Sequence, residues 1–374
     1  MPPTKAMSSG DFDRTYWPLS ARTMFGYSYQ SRDHQDTDLG EAKVQTRGSG
    51  TERFDLLLGG SLTQNINFFA RYEPAVANAD LGTPEGQDGE LESVWIRIND
   101  IPVKTLKINL KFGTFELDVP VSRYRRHTLT TYPIYGYFPS GSAAADDPDT
   151  TLDWSRAQRG AEVSGLAPRD LSYSLALING TNGRGDSNNA FDYYLRVAGP
   201  VDRHRVGGFL YWGTAPTNFQ FTPTGDPIPG TGQSNKNFYR LGLDGDIRTE
   251  PIRVLTVVEY GSDSSGLFGG SDPRSASFGG GFVEMQYDLL AEQSLLWALR
   301  YDVIRNFNQG DATTDKKTGD LDGVTWAVRY DWVDTGRLAV ILHGEYSHVK
   351  TKATSVDGND QTDNRFTVAF DLML

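Results

Sequence analysis

The chain has no cysteine. That excludes a disulfide framework, thiolate metal sites and covalent attachment of a c-type haem, which uses a Cys-x-x-Cys-His run. Histidine is scarce: His34, His127, His204, His343 and His348 are scattered, and only the last two lie close together. Five positions apart, those two point to opposite faces of a strand and make a poor shared metal site. No nucleophile elbow, phosphate-binding loop or dinucleotide fingerprint occurs. The expectation is a chain that is not an enzyme, with no cofactor, no metal and no nucleic-acid partner. Long hydrophobic runs are also missing. No stretch approaches the roughly 18 to 20 apolar residues that a membrane helix needs, so any membrane span is built from strands. Met1-Pro2-Pro3-Thr4-Lys5 leads into polar residues without the apolar core of an export signal. Residues 1–21 are read as an N-terminal segment on the periplasmic side of a membrane barrel.

What the chain does contain is 40 glycines, 12% aromatic residues and a hydrophobic fraction of 38%, with a formal charge of -12. A barrel wall that greases one face and wets the other has this composition, and its strands and polar loops average to the observed mean hydropathy of -0.47. Short alternating runs recur from about Thr23 to the last residue. The clearest is Leu106-Lys107-Ile108-Asn109-Leu110-Lys111-Phe112; others set Ile66, Phe68, Ala70 and Tyr72 against Asn67 and Arg71, or Trp326, Val328, Tyr330 and Trp332 against Arg329 and Asp331.

The links between these runs alternate long and short. Long ones fall at 35–50, 74–90, 117–157, 180–189, 215–236, 262–276, 307–321 and 352–363. Short ones include Leu62 to Asn65, Asp100 to Val103, Ala167 to Asp170, Thr249 to Pro251 and Asp334 to Gly336. This pattern predicts one all-β domain over 1–374, a transmembrane antiparallel β-barrel of about sixteen strands with long extracellular loops and short periplasmic turns. A soluble β-sandwich or propeller has many short strands too, but no reason to alternate loop length, and no blade repeat is visible. Aromatics near strand ends, among them Tyr27, Tyr260, Tyr287, Tyr330 and Trp332, are candidates for interfacial girdles.

The third long link, 117–157, exceeds the others, and unstructured loops of that length are usually functional or disordered. It carries Arg123, Tyr124, Arg125, Arg126 and His127, then Tyr132 and Tyr135, which are the candidate pore constriction. Guanidinium groups held in a narrow passage favour anions. Asp146, Asp147, Asp149 and Asp153 in its second half are ready partners for a merely ion-paired loop. On the lumen side the strands carry Arg71, Arg97, Lys107, Lys111, Arg196, Arg300 and Arg329, a candidate basic track. Glu73, Asp192, Asp244, Asp302, Asp331 and Glu345 share those faces, so the lumen is expected to be hydrated and weakly selective.

Two stretches, Leu106 to Glu116 and Arg159 to Thr181, carry a resemblance to the phosphate-selective porin family, the porin O and P group. The first resembles that family's strand into the constriction loop, and the second the strand pair after it, with its Asn179-Gly180 turn. The resemblance implies a third loop folded into the channel, a basic lumen and a homotrimer in outer-membrane lipid. The resulting expectation is passive diffusion of small hydrophilic solutes, weakly favouring anions. A second reading is the sheath of an electron conduit that holds a multihaem cytochrome, whose haem ligands would all come from the partner.

Overall fold

The structure, a computed structural model, describes residues 19–36, 40–74, 90–103, 106–122, 126–139, 154, 156–180, 190–217, 234–264, 275–290, 295–309, 319–334, 338–352 and 360–374. Among them are sixteen strands: β1 (Leu19–Asp36), β2 (Gly40–Ser61), β3 (Ile66–Glu73), β4 (Glu90–Val103), β5 (Leu106–Glu116), β6 (Ala157–Ala167), β7 (Leu171–Ile178) and β8 (Asp192–Val201), then β9 (His204–Thr217), β10 (Ser234–Thr249), β11 (Ile252–Asp263), β12 (Ala276–Leu290), β13 (Leu295–Gln309), β14 (Leu321–Asp334), β15 (Ala339–Thr351) and β16 (Gln361–Met373). Each pairs antiparallel with its sequence neighbours, and β1 pairs with β16 to close the ring. The last residue takes part in the closure: Leu374 N donates to Ala21 O at 2.8 Å and Ala21 N to Leu374 O at 3.2 Å. A closed ring leaves no unpaired strand edge, which is the condition for crossing lipid with strands.

The two-residue side-chain period sorts the sequence between the faces of the wall. In β8, Tyr193, Leu195 and Val197 are 48%, 41% and 37% exposed on the outside, while Asp192, Tyr194 and Arg196 between them are buried inside. The same alternation puts Val94, Ile96 and Phe112 outside and Arg97 and Lys111 inside, because paired residues share a face and Arg97 lies opposite Lys111. The outer face is an apolar belt around the ring. At its long-loop end Tyr193 and Trp212 lie 5.9 Å apart, and Tyr239, Tyr260 and Phe307 form a row with centroids 6.1 and 6.3 Å apart. Tyr330 and the exposed Trp332 sit near the short-turn end of β14. These are the two aromatic girdles of a membrane barrel.

The boundaries depart furthest from the sequence reading in two places, and by no more than three residues elsewhere. Asp100 to Val103 is not a turn, because β4 runs on to Val103. A bulge between Ile98 and Ile101 absorbs the extra residues, with Asp100 at φ 53 and its N–H donating to Asn109 Oδ1 at 3.1 Å. A short acidic residue tolerates that left-handed conformation, so a turn-like sequence here serves a bulge. The first long link shrinks to 37–39, since β1 and β2 pair as far as Asp36 and Gly40. Residues 1–18 of the N-terminal segment lie outside the described residues, and 19–21 belong to β1.

Candidate pore constriction

The barrel has an apolar core inside its own lumen. The loop between β5 and β6, here L3, sends Leu117, Val119, Val121, Ile134, Phe138 and Trp154 against inward aromatics of the wall: Tyr194, Phe209, Tyr211, Phe238, Phe278 and Phe282. Trp154 packs with its centroid 4.8 Å from Tyr135 and 4.9 Å from Phe209. Burying such side chains stabilises by about 1.5 to 3 kcal/mol each, so the apolar face of L3 holds it to one half of the wall.

Polar anchors then fix its height and path. Leu129 N and Thr130 N donate to the Glu345 carboxylate of β15 at 2.5 and 2.7 Å, and Thr130 Oγ1 donates to it as well. Arg300 of β13 reads the same turn from the other side. Its Nη1 donates to Thr128 Oγ1 at 2.9 Å and its Nη2 to Thr131 O at 2.9 Å, while its Nε is held by Asp302 at 2.8 Å. Tyr132 lies under that guanidinium, 4.4 Å from carbon to ring centroid, and donates to Glu284 of β12 at 2.8 Å. A short 3-10 turn, Pro133–Gly136, leads to Tyr137, whose hydroxyl donates to Gly319 O at 3.0 Å and accepts from Asn306 Nδ2 at 2.6 Å. Burial pushes the Tyr132, Tyr135 and Tyr137 hydroxyls above their ordinary range, which keeps them protonated.

Arg240 of β10 closes the far end. It donates to Asp263 at 2.6 Å and to Tyr137 O at 3.4 Å, caged by the rings of Phe138, Phe238 and Phe278. Gly261 leaves the space for this cage, since a Cβ there would lie 2.2 Å from the Phe278 ring. At the near end, Arg329 of β14 donates from Nη1 to His127 Nδ1 at 3.2 Å. Burial and then the Arg329 charge push the His127 pKa down to about 4, so the imidazole is neutral above that pH.

These anchors run from β8 to β15. The opposite arc, β16 and β1 to β5, faces the lumen with polar and charged side chains beside one apolar pair, Phe69 and Trp95, stacked at 5.6 Å with Trp95 against the L3 core. Arg22 is held by Asp371, and Arg71 by Asp55 at 2.7 Å and by Glu92. Lys111 pairs with Glu162 at 2.8 Å. Arg97 differs: among the described residues no carboxylate lies within ion-pair distance of it, and its Nε is buried without a hydrogen-bond partner.

The candidate residues from sequence therefore separate. Arg123, Tyr124 and Arg125 lie outside the described residues, as do Asp146, Asp147, Asp149 and Asp153. Arg126 sits where L3 turns, its N–H donating to Ser122 O at 3.2 Å. Tyr132 and Tyr135 are 5% and 1% exposed. They do not line a passage, because aromatic surface is better buried against the inner wall than left in water. Arg71, Arg97, Lys107, Lys111, Arg196, Arg300 and Arg329 all lie on the inner face, but they do not make an open basic track. Arg196, 5% exposed, is spent on Asp118 at 3.0 Å and Asp244 at 2.7 Å, and Arg300 is buried beneath L3. Glu345, Arg240, Tyr137 and Trp154 escaped the sequence reading as anchors of the loop.

A closed sixteen-stranded ring with one long loop packed inside it can be compared with solved structures as a whole. The channel DcaP of Acinetobacter baumannii superposes with a TM-score of 0.56 at 12% identity, covering 95% of this chain and 97% of that one. The fold is that of the outer-membrane porins. An anion-selective porin from Comamonas acidovorans gives 0.54 at 10% identity over 94% and 99% of the two chains. OmpT of Vibrio cholerae, in a trimer form, gives 0.55 at 11% over 95% and 99%. No family model and no curated protein matches the sequence. The likeness thus reaches the porin fold, while the narrower resemblance to phosphate-selective porins rests on the sequence motifs alone.

Proposed function

We propose that the chain is a passive channel in an outer membrane for small hydrophilic solutes, weakly favouring anions. The observation that carries this reading is the division of the lumen: L3 is fastened mainly to β8–β15, and the arc of β16 and β1–β5 carries Arg22, Arg71, Arg97 and Lys111 on its inner face beside the stacked Phe69 and Trp95. A passage between a fixed loop and a wetted wall sorts solutes by width and charge without a chemical step. Most lumen cations are neutralised by carboxylates, which accounts for weak selectivity; Arg97 and Lys107, without such partners among the described residues, supply the residual preference for anions. The anion-selective and trimeric porins of the same fold support the preference and a homotrimeric assembly as working expectations.

What favours a solute channel over a sheath around a multihaem partner is that the arc from β8 to β15 is covered by the chain's own L3. The test is uptake by proteoliposomes of uncharged sugars of rising size. Initial rates should rise linearly with concentration and fall steeply with solute size. Saturation at low concentration for one solute would replace the diffusion reading with a specific carrier site.

A further inference from the structure

We propose that the contact between His127 of L3 and Arg329 of β14 is an acid-sensitive latch, whose release narrows the passage. The proposal rests on the channel reading. A guanidinium can only donate, so His127 Nδ1, 3.2 Å from Arg329 Nη1, is the acceptor, and the ring's one proton sits on Nε2. A second proton takes that acceptor away and sets an imidazolium beside a permanent cation.

Among the described residues the field of Asp331 favours the new charge, but it ranks below burial and the charges of Arg329 and Arg253, which oppose it. On β14, Asp331 is engaged by Arg329 itself at 2.9 Å. On β15, His343 is the register partner of Arg329, and its Nε2 lies 3.9 Å from an Asp371 already held by Arg22. Glu345 carries the amides of Leu129 and Thr130, and Arg253 of β11 adds a further positive field. The anchors farther along L3 are built on Arg300 and Arg240, whose guanidinium groups stay charged at every working pH.

The sign follows from the depressed value of about 4 against an ordinary histidine near 6.5. The attached state binds fewer protons than the released one. Attachment is at full strength above the ordinary value, and weakens by about two orders of magnitude as pH falls toward 4. The freed stretch then carries one more charge at the edge of the lumen.

The experiment compares single-channel conductance from pH 7.5 to 4 in the wild type and in His127→Gln, each relative to its own value at pH 7.5. The wild type should lose conductance reversibly and His127→Gln should not. A flat wild-type profile would overturn the latch. So would a loss that survives His127→Gln but vanishes in Glu345→Gln, which would make the carboxylate the sensor. Because the chain has no cysteine, a spin label at Thr131→Cys reads the loop without any channel assay. Label mobility should rise in acid only when His127 is present. That result in a protein that never conducts would retire the channel reading and keep the latch; an immobile label at pH 4 would retire the latch.

Discussion

Arg300→Ala destabilises the protein by about 3 to 5 kcal/mol and turns a quiet channel into a noisy one. The substitution leaves Asp302, buried at 3% exposure, without its counter-charge, and truncating one partner of a buried pair costs that much. It also strips the hydrogen bonds from Thr128 Oγ1 and Thr131 O, so this turn of L3 is left to Glu345 and to the flanking bonds of His127 and Tyr132. Equilibrium unfolding in urea with lipid vesicles measures the first effect, and open-channel current noise the second. An unchanged midpoint together with unchanged noise would mean that L3 is not held where the geometry puts it.

Arg97→Glu reverses the charge preference. A unit charge at about 4 Å contributes about 1 kcal/mol in water, so a swing of two charges moves the anion-to-cation permeability ratio by about tenfold after screening. The potential at zero current in a salt gradient should change sign. Arg196→Gln and Arg71→Gln, whose charges are already compensated, should disturb stability more than selectivity. The same measurement on the combined Arg123→Ala, Arg125→Ala and Arg126→Ala variant weighs the loop against the wall. A sign change there and none in Arg97→Glu would move the filter to the loop.

The ring was legible because its signals are local. Leu106 to Phe112 alternates without interruption, and hydrophobic period sets strand and face together. The alternation of loop lengths then supplied strand number and closure. Asp100 to Val103 misled because Asp and Pro mark turns and bulges alike, and only the opposite strand, through Asn109, decides between them. The site was less legible for a different reason. Arg196 and Arg300 are inward, as their register demands, but whether an inward cation meets water depends on where L3 lies, and those contacts span 78 residues for Arg196 and 172 for Arg300.

The loop's footing did leave a trace. Phe209-Leu210-Tyr211-Trp212 is apolar on both faces, as are the wall positions around it that meet L3, whereas Asp55, Arg71 and Ser93 across the lumen are polar. An unbroken apolar run in a strand means burial on both sides. Inside a barrel the inner cover has to come from the chain's own loops, which here is L3. Tyr132 and Tyr135 belong to that cover, so an aromatic-rich loop beside arginines is better read as a loop with a greasy underside.

The central claim is an open, water-filled passage between L3 and the arc from β16 to β5, and conductance of the purified protein in a planar bilayer tests it most directly. Ohmic single-channel steps, with a small anion-side potential at zero current, are the predicted result. A protein that inserts as a folded barrel and passes no current, or whose current saturates at low salt, would contradict it.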